Sequence, residues 1–160
     1  MEKILVINTG GTFNKVYNPR RGDLEIDPKG GALDSISQHW LLAYEVINIV
    51  GKDSLEMVEE DREQILRIIQ NSNFKKIIVV HGTDTIDKTA DHLSRVKNKT
   101  ILLTGAMVPY AINPIEATAN FASAYGFLMA SKVCGVYISM NGVIKDYKRV
   151  RKNKEKGYFE

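Results

Sequence analysis

The sequence contains a single cysteine, Cys134, so no disulfide can close within the chain. That cysteine stands in an apolar run and reads as an inert core residue. No apolar stretch is long enough to span a membrane, and the four apolar residues before Asn8 are too few for the core of a secretory signal. A cytoplasmic protein that does not engage a membrane is expected. The three histidines, His39, His81 and His92, lie far apart, and none shares a zinc-type spacing with cysteine, so no metal is expected. Proline is scarce, with four residues, and there is no internal repeat or low-complexity linker. The expectation is one domain over residues 1–160, long enough to bury a real core.

Net charge is small as well. The net charge is only +3, and it comes from the end of the chain: residues 145–160 hold 7 basic and 3 acidic side chains. The rest is about neutral. Such a tail reads as a solvated or partner-facing segment, and no nucleic-acid partner is expected.

The chain does hold short runs rich in Ile and Val at 4–7, 46–50, 77–80, 101–103 and 135–140. Continuous apolar runs of this length suit strands buried on both faces. Helical periodicity separates several of them, over 59–70, 87–96 and 114–131. Alternating strands and helices predict an α/β domain with a mainly parallel sheet flanked by helices, a flavodoxin-like or Rossmann-like three-layer fold. Met140-Asn141-Gly142-Val143 has the chemistry of a tight hairpin turn, so a β-hairpin-like segment is expected near the C-terminus. Residues 14–31 carry Asn18-Pro19, Gly22-Asp23 and Lys29-Gly30-Gly31 with little periodicity. They read as a long loop of the kind that serves as a mobile lid.

In open parallel sheets ligands bind beyond the carboxyl ends of the strands. There this sequence places Thr9-Gly10-Gly11-Thr12, Lys52-Asp53-Ser54, His81-Gly82-Thr83-Asp84-Thr85 and Thr104-Gly105-Ala106-Met107. Each loop taken alone also fits ordinary turn and capping chemistry: Asp84 or Thr85 suits the start of the helix that follows, and Ser54 suits an N-cap. Their convergence on one edge points to a polar active site. A phosphate site fits poorly, because no lysine directly follows Gly11 and no third glycine opens a helix after the first strand.

Thr-Gly-Gly-Thr at 9–12, His-Gly-Thr-Asp-Thr at 81–85 and Thr-Gly-Ala-Met-Val-Pro at 104–109, in this order, resemble the bacterial-type L-asparaginases. Asp53-Ser54-Leu55-Glu56-Met57 is similar to that family's serine-containing substrate segment. The stretch from Met140 to Lys152 resembles the segment carrying its catalytic lysine. The resemblance runs over nearly the whole chain.

The resemblance implies a threonine nucleophile at Thr12 and a hydrogen-bonded group of Thr83, Asp84 and Lys152 that moves protons. It implies substrate-binding positions at Gly11, Ser54, Gly82, Asp84 and Ala106, and it calls for no cofactor. The expected reaction is hydrolysis of L-asparagine to aspartate and ammonia through an acyl-enzyme. The partner is then a small amino-acid substrate. Two alternatives stay open: hydrolysis of a related amide such as glutamine, and a non-catalytic protein that binds an amino acid.

The sequence departs from the family pattern in places. The family's second domain is expected to be absent, and a homo-oligomer, a dimer or tetramer, is expected to close the site in its stead. The family's lid tyrosine lies ten or more residues after the nucleophile, whereas Tyr17 follows Thr12 by five. Tyr17 is the candidate for that role here. Leu55 and Glu56 stand where the family has a polar residue and an aspartate.

Overall fold

The computed structural model describes residues 2–40 and 44–160. Its main sheet has six strands in the order β4-β1-β5-β6-β7-β8. They are β1 (Ile4–Gly10), β4 (Tyr44–Lys52), β5 (Lys76–Val80), β6 (Thr100–Thr104), β7 (Gly135–Met140) and β8 (Val143–Asp146). The first five run parallel, and β8 returns antiparallel to β7. The order of the parallel strands is flavodoxin-like, and its switch point falls between β1 and β5, where the chain changes direction across the sheet.

Alternation along the strands feeds two apolar layers. Leu5, Ile7, Ile77, Val79, Ile101 and Leu103 meet α2 (Glu59–Asn71) and α3 (Ile86–Leu93) on one face. Ile4, Val6, Ile78, Val80 and Leu102 meet α1 (Gly31–Gln38) and α4 (Pro114–Ala130) on the other. The α/β expectation therefore holds, with the strands extending one or two residues beyond most of the apolar runs.

Local chemistry sets the helix ends. The Asn113 side chain accepts the Ile115 N–H at 3.1 Å, and Pro114 takes the first turn of α4. The Asp61 carboxylate accepts the Val58 N–H at the start of α2, where three acidic residues complement the helix dipole. At the other end of α2 the buried Lys99 ammonium donates to the carbonyls of Ile69 and Ser72 and to the Ser72 hydroxyl.

The segment 14–31 differs from expectation. It is not an irregular loop but a hairpin of β2 (Lys15–Asn18) and β3 (Asp23–Ile26), a two-stranded sheet separate from the main one, followed by the start of α1. Asn18 organises the turn by accepting the N–H groups of Arg20 and Arg21. Cys134 also differs. It is exposed, because it lies in the connection before β7 rather than in the strand. The hairpin turn at Asn141-Gly142 is as expected: Met140 pairs with Val143, and both turn residues have positive φ, 52° and 80°.

One irregularity shapes the site. Between Asn8 and Gly10 on β1, the partner β4 passes from Asn48 to Lys52. The extra residues bulge out at Val50, a β-branched residue held at φ 65°. The bulge brings the Lys52 carbonyl to the Gly11 N–H at 3.0 Å.

Lys99→Met leaves the α2 carbonyls facing a side chain with nothing to donate. The variant should lose about 2 kcal/mol of stability. Urea denaturation checks this, and an unchanged midpoint at unchanged slope would refute it.

Candidate active site

The loops after β1 and β5 flank the switch point and touch through their backbones. Gly11 lies at φ 71° and ψ −177°, a conformation essentially restricted to glycine. A Cβ there would meet the Gly82 backbone at 2.5 Å, and a Cβ on Gly82 would meet Ser54 at 2.7 Å. Gly11, Gly82 and Ser54 are therefore stacked side by side, with no room for larger residues at the two glycines.

The two threonines of the first loop have different surroundings. Thr9 is buried and donates to the Val80 carbonyl at 2.8 Å, which ties β1 to β5. Thr12 opens a short 3-10 turn over Thr12–Asn14 and is partly exposed. Its hydroxyl has no hydrogen-bond partner among the described residues. Below it, Asn14 exchanges side-chain hydrogen bonds with Asn8 and donates to the Gly10 carbonyl. The first residue of the hairpin, Lys15, pairs with Asp53 at 2.9 Å and holds that carboxyl below its usual range.

Lys152 reaches over the β5 loop from the tail. Its ammonium lies 2.8 Å from the Thr83 hydroxyl and 2.8 Å from Asp84 Oδ1. It stands on β9 (Lys152–Asn153), paired with β10 (Tyr158–Phe159). The structure thus brings Thr83, Asp84 and Lys152 together. A cleft of about 630 Å³ opens beside them, lined also by Lys88, Arg151 and the exposed Leu55. A concavity of about 750 Å³ along α2 and β4, lined by Ile47 and Ile68, includes none of these groups. Ala106 is fully buried against the second apolar layer and presents no exposed surface to the cleft. Tyr17 is not brought to Thr12: the residue is 63% exposed on β2, and no hydrogen bond joins the two among the described residues. Among the described residues no cluster of His, Cys, Asp or Glu is arranged to hold a metal ion, and no helix is long and apolar enough to cross a membrane.

Beneath the site lies a buried polar network built around Arg62. Its guanidinium donates to the hydroxyls of Thr89 at 3.1 Å and Thr85 at 3.0 Å. Thr85 in turn donates to the Ser54 carbonyl at 2.8 Å, and its N–H meets the Ser54 hydroxyl at 3.3 Å. So Thr85, although it precedes α3, does not cap that helix with its side chain. Neither does Ser54 act as an N-cap: it is the first residue inside a short 3-10 turn.

Thr89 also contacts His81 Nε2 at 2.7 Å, while His81 Nδ1 lies 2.7 Å from the Gly82 carbonyl. A carbonyl only accepts, so Nδ1 carries the proton, and Nε2 accepts from Thr89. Sequence reasoning gave Arg62 no role. The signal was present: Arg62, Ile65, Leu66 and Ile69 occupy one helical stripe, so an arginine interrupts an otherwise apolar face.

The fold and these groups define a class first: a flavodoxin-like α/β domain with a free threonine on one glycine loop and a lysine–carboxylate–threonine cluster on the next. A family model described as asparaginase, N-terminal, matches residues 3–158. The chain belongs to the asparaginase family.

A curated relative, the glutaminase-asparaginase of Acinetobacter glutaminasificans, is 24% identical over 88% of this chain and 46% of its own length. The thermostable L-asparaginase of Thermococcus kodakarensis superposes with a TM-score of 0.84 at 26% identity, covering 99% of this chain and 50% of that one. L-asparaginase I of Vibrio cholerae shares the fold at a TM-score of 0.85 and 22% identity, over 100% of this chain and 51% of that one. The chain spans about half the length of the relatives it matches.

Burial, followed by the Arg62 charge, lowers the His81 pKa from 6.5 to about 4. As pH falls the unfolded imidazole protonates first, so the unfolded state gains the proton. The native state should keep its full stability above about 6.5 and lose about 3 kcal/mol on the way down to about 4. Urea midpoints across this window should fall less steeply for His81→Gln than for the parent. Equal slopes would show that His81 does not titrate as its surroundings require.

Proposed function

We propose that the chain carries the nucleophile and proton-transfer groups of an L-asparaginase-type amidohydrolase. The observation that carries the reading is the Lys152 ammonium at 2.8 Å from both Thr83 and Asp84, beside the glycine contact that presents Thr12.

Thr12 Oγ1 attacks the side-chain amide carbon of the substrate. Its proton passes to the Thr83–Lys152–Asp84 group, which returns a proton to the departing nitrogen. Backbone N–H groups at Thr83 and Thr12 receive the developing oxyanion, since the Gly11 N–H is taken by the Lys52 carbonyl. Ammonia leaves, and Thr12 holds an acyl ester. Water, activated by the same group, splits the ester and restores the Thr12 hydroxyl. Ser54 and Asp84 hold the α-carboxylate and α-amino group, with Gly11 and Gly82 in contact through backbone. Tyr17 is carried to Thr12 when the β2–β3 hairpin closes. No cofactor enters this scheme.

L-asparagine is the leading substrate. Glutamine is the second reading, favoured by the similarity to a glutaminase-asparaginase. The cytoplasm is the proposed location, in keeping with the lone cysteine and with likeness to a protein described as a probable cytoplasmic L-asparaginase from Campylobacter jejuni, at a TM-score of 0.76 and 22% identity over 95% of this chain and 50% of that one.

The test is ammonia release from asparagine and glutamine. Thr12→Ala and Lys152→Met should each lower turnover by several orders of magnitude while the fold persists. Tyr17→Phe should slow it if the hairpin delivers Tyr17. Normal turnover by folded Thr12→Ala would end the nucleophile assignment, and no turnover of either amide by the parent would favour a binding role.

Assembly is part of the same proposal. The exposed basic side chains of residues 145–156 fit against an acidic stretch, and 56–61 in a second copy offers one. Asp61 is occupied by Lys52 and Glu59 lies 3.1 Å from His92 Nδ1, so Glu56 and Glu60 are the groups available there. Sedimentation at micromolar concentration should give a dimer or a dimer of dimers that weakens with salt. A monomer at every concentration would remove this element.

A further inference from the structure

Lys152 stands on a strand of two residues, and neither β9 nor β10 joins the main sheet. The ladder that fixes the loops after β1 and β5 therefore does not fix this ammonium. We propose that Asn141 and Phe159 are positioning residues for Lys152, and that Glu116 links them to the loop after β6. The proposal deepens the reading above and rests on it for the role of Lys152.

The register provides the first argument. Phe159 lies directly opposite Lys152. Their neighbours Arg151 and Glu160 exchange both backbone hydrogen bonds, at 2.8 and 2.9 Å. In an antiparallel pair the next residues in line then turn their N–H groups outward. The Phe159 N–H thus points away from β9, and its acceptor is Asn141 Oδ1 at 3.2 Å. The Phe159 side chain is buried and belongs to the same apolar cluster as Val150, Met140 and Ile86. So the residue facing Lys152 is held by its side chain in the core and by its backbone at the β7–β8 turn.

Asn141 performs three tasks at once. It adopts the φ of 52° that the turn requires, which asparagine tolerates better than most residues. It accepts from Phe159. Its Nδ2 donates to Glu116 Oε1 at 3.3 Å. The Glu116 carboxylate also accepts the N–H groups of Met107 and Val108, each at 2.9 Å. A second connection runs from the Asn141 N–H to Asn120 Oδ1 at 3.0 Å, and from Asn120 Nδ2 to the Gly105 carbonyl at 2.9 Å. The loop that carries Ala106 and the strand that carries Lys152 are thereby registered through one turn.

The three tasks are separable by substitution. Asn141→Gly keeps the backbone conformation and removes both side-chain contacts. Asn141→Asp retains the acceptor for Phe159 and replaces the donor to Glu116 with a second carboxylate that Glu116 repels. The first readout does not depend on turnover: acylation of Lys152 by an amine-labelling ester, followed by peptide mass spectrometry, with the exposed Lys154 as internal control. Labelling of Lys152 should rise about three- to tenfold in Asn141→Gly, and less in Asn141→Asp, with Lys154 unchanged. Exchange of the Phe159 amide should quicken in the same order. In the ammonia assay, Asn141→Gly should lower kcat by a similar factor with KM nearly unchanged.

Equal labelling and equal Phe159 exchange in the parent and Asn141→Gly would overturn the proposal, even where Lys152→Met abolishes turnover. Faster labelling in Asn141→Gly together with full turnover by Lys152→Met would leave the positioning intact and refute the catalytic reading instead. Because Asn141 is exposed in a turn, its variants are not expected to unfold. Phe159→Leu, which keeps an apolar anchor, should label more slowly than Phe159→Ala.

Discussion

The contact of Gly11 against Gly82 is the constraint on which the rest of the site depends. The β1 and β5 loops leave adjacent strands at the switch point and pass within a distance that admits no Cβ on Gly11, while Ser54 excludes one on Gly82. The residues of both loops are placed by reference to this contact. Thr12 follows Gly11 immediately. Thr83 and Asp84 follow Gly82. Ser54, buried and following the bulged end of β4, packs against Gly82. A site built this way has positions fixed by backbone against backbone, the least compliant contact a protein has, so its geometry exists before any ligand arrives.

Around that fixed point the groups divide by how firmly they are held. Ser54 and the β5 loop rest on Arg62, a buried cation whose hydrogen bonds go to Thr85, Thr89 and the Met57 carbonyl. His81 adds a neutral ring that orients the Gly82 peptide from below. Because a peptide is planar, fixing the Gly82 carbonyl also fixes the direction of the Thr83 N–H. Lys152 and the β2–β3 hairpin lie outside the sheet, and each is joined to it by a few polar contacts.

The extent to which this was legible follows from the physics of each element. Strands buried on both faces leave continuous apolar runs, and these marked every parallel strand. The position of Lys152 was legible through motif spacing alone, since its two-residue strand leaves no periodic trace. The β2–β3 hairpin was not legible, because it contributes little to either apolar layer. Helix α1 was missed for a related reason: only Leu33 and Ile36 of its eight residues are buried. Cys134 misled because Val133 and Val136 flank it, although β7 begins only at Gly135 and Val133 itself is exposed. Arg62 was hidden in plain view, as a charge within an apolar stripe reads as an exception until its partners, two threonines from a neighbouring loop and helix, are seen.

The bulge in β4 has a consequence beyond the site it shapes. At nine residues β4 is the longest strand, and it forms one border of the main sheet, where a regular strand would offer a template for another chain to add to. The backbone turn at Val50 and Gly51 breaks the flat run of hydrogen-bonding groups, and the charge of Glu45 guards its other end. The same distortion that carries a carbonyl to Gly11 thus makes this border a poor seed for intermolecular sheet growth. Straightening it would restore a regular edge ladder as well as shift the chain that leads to Ser54.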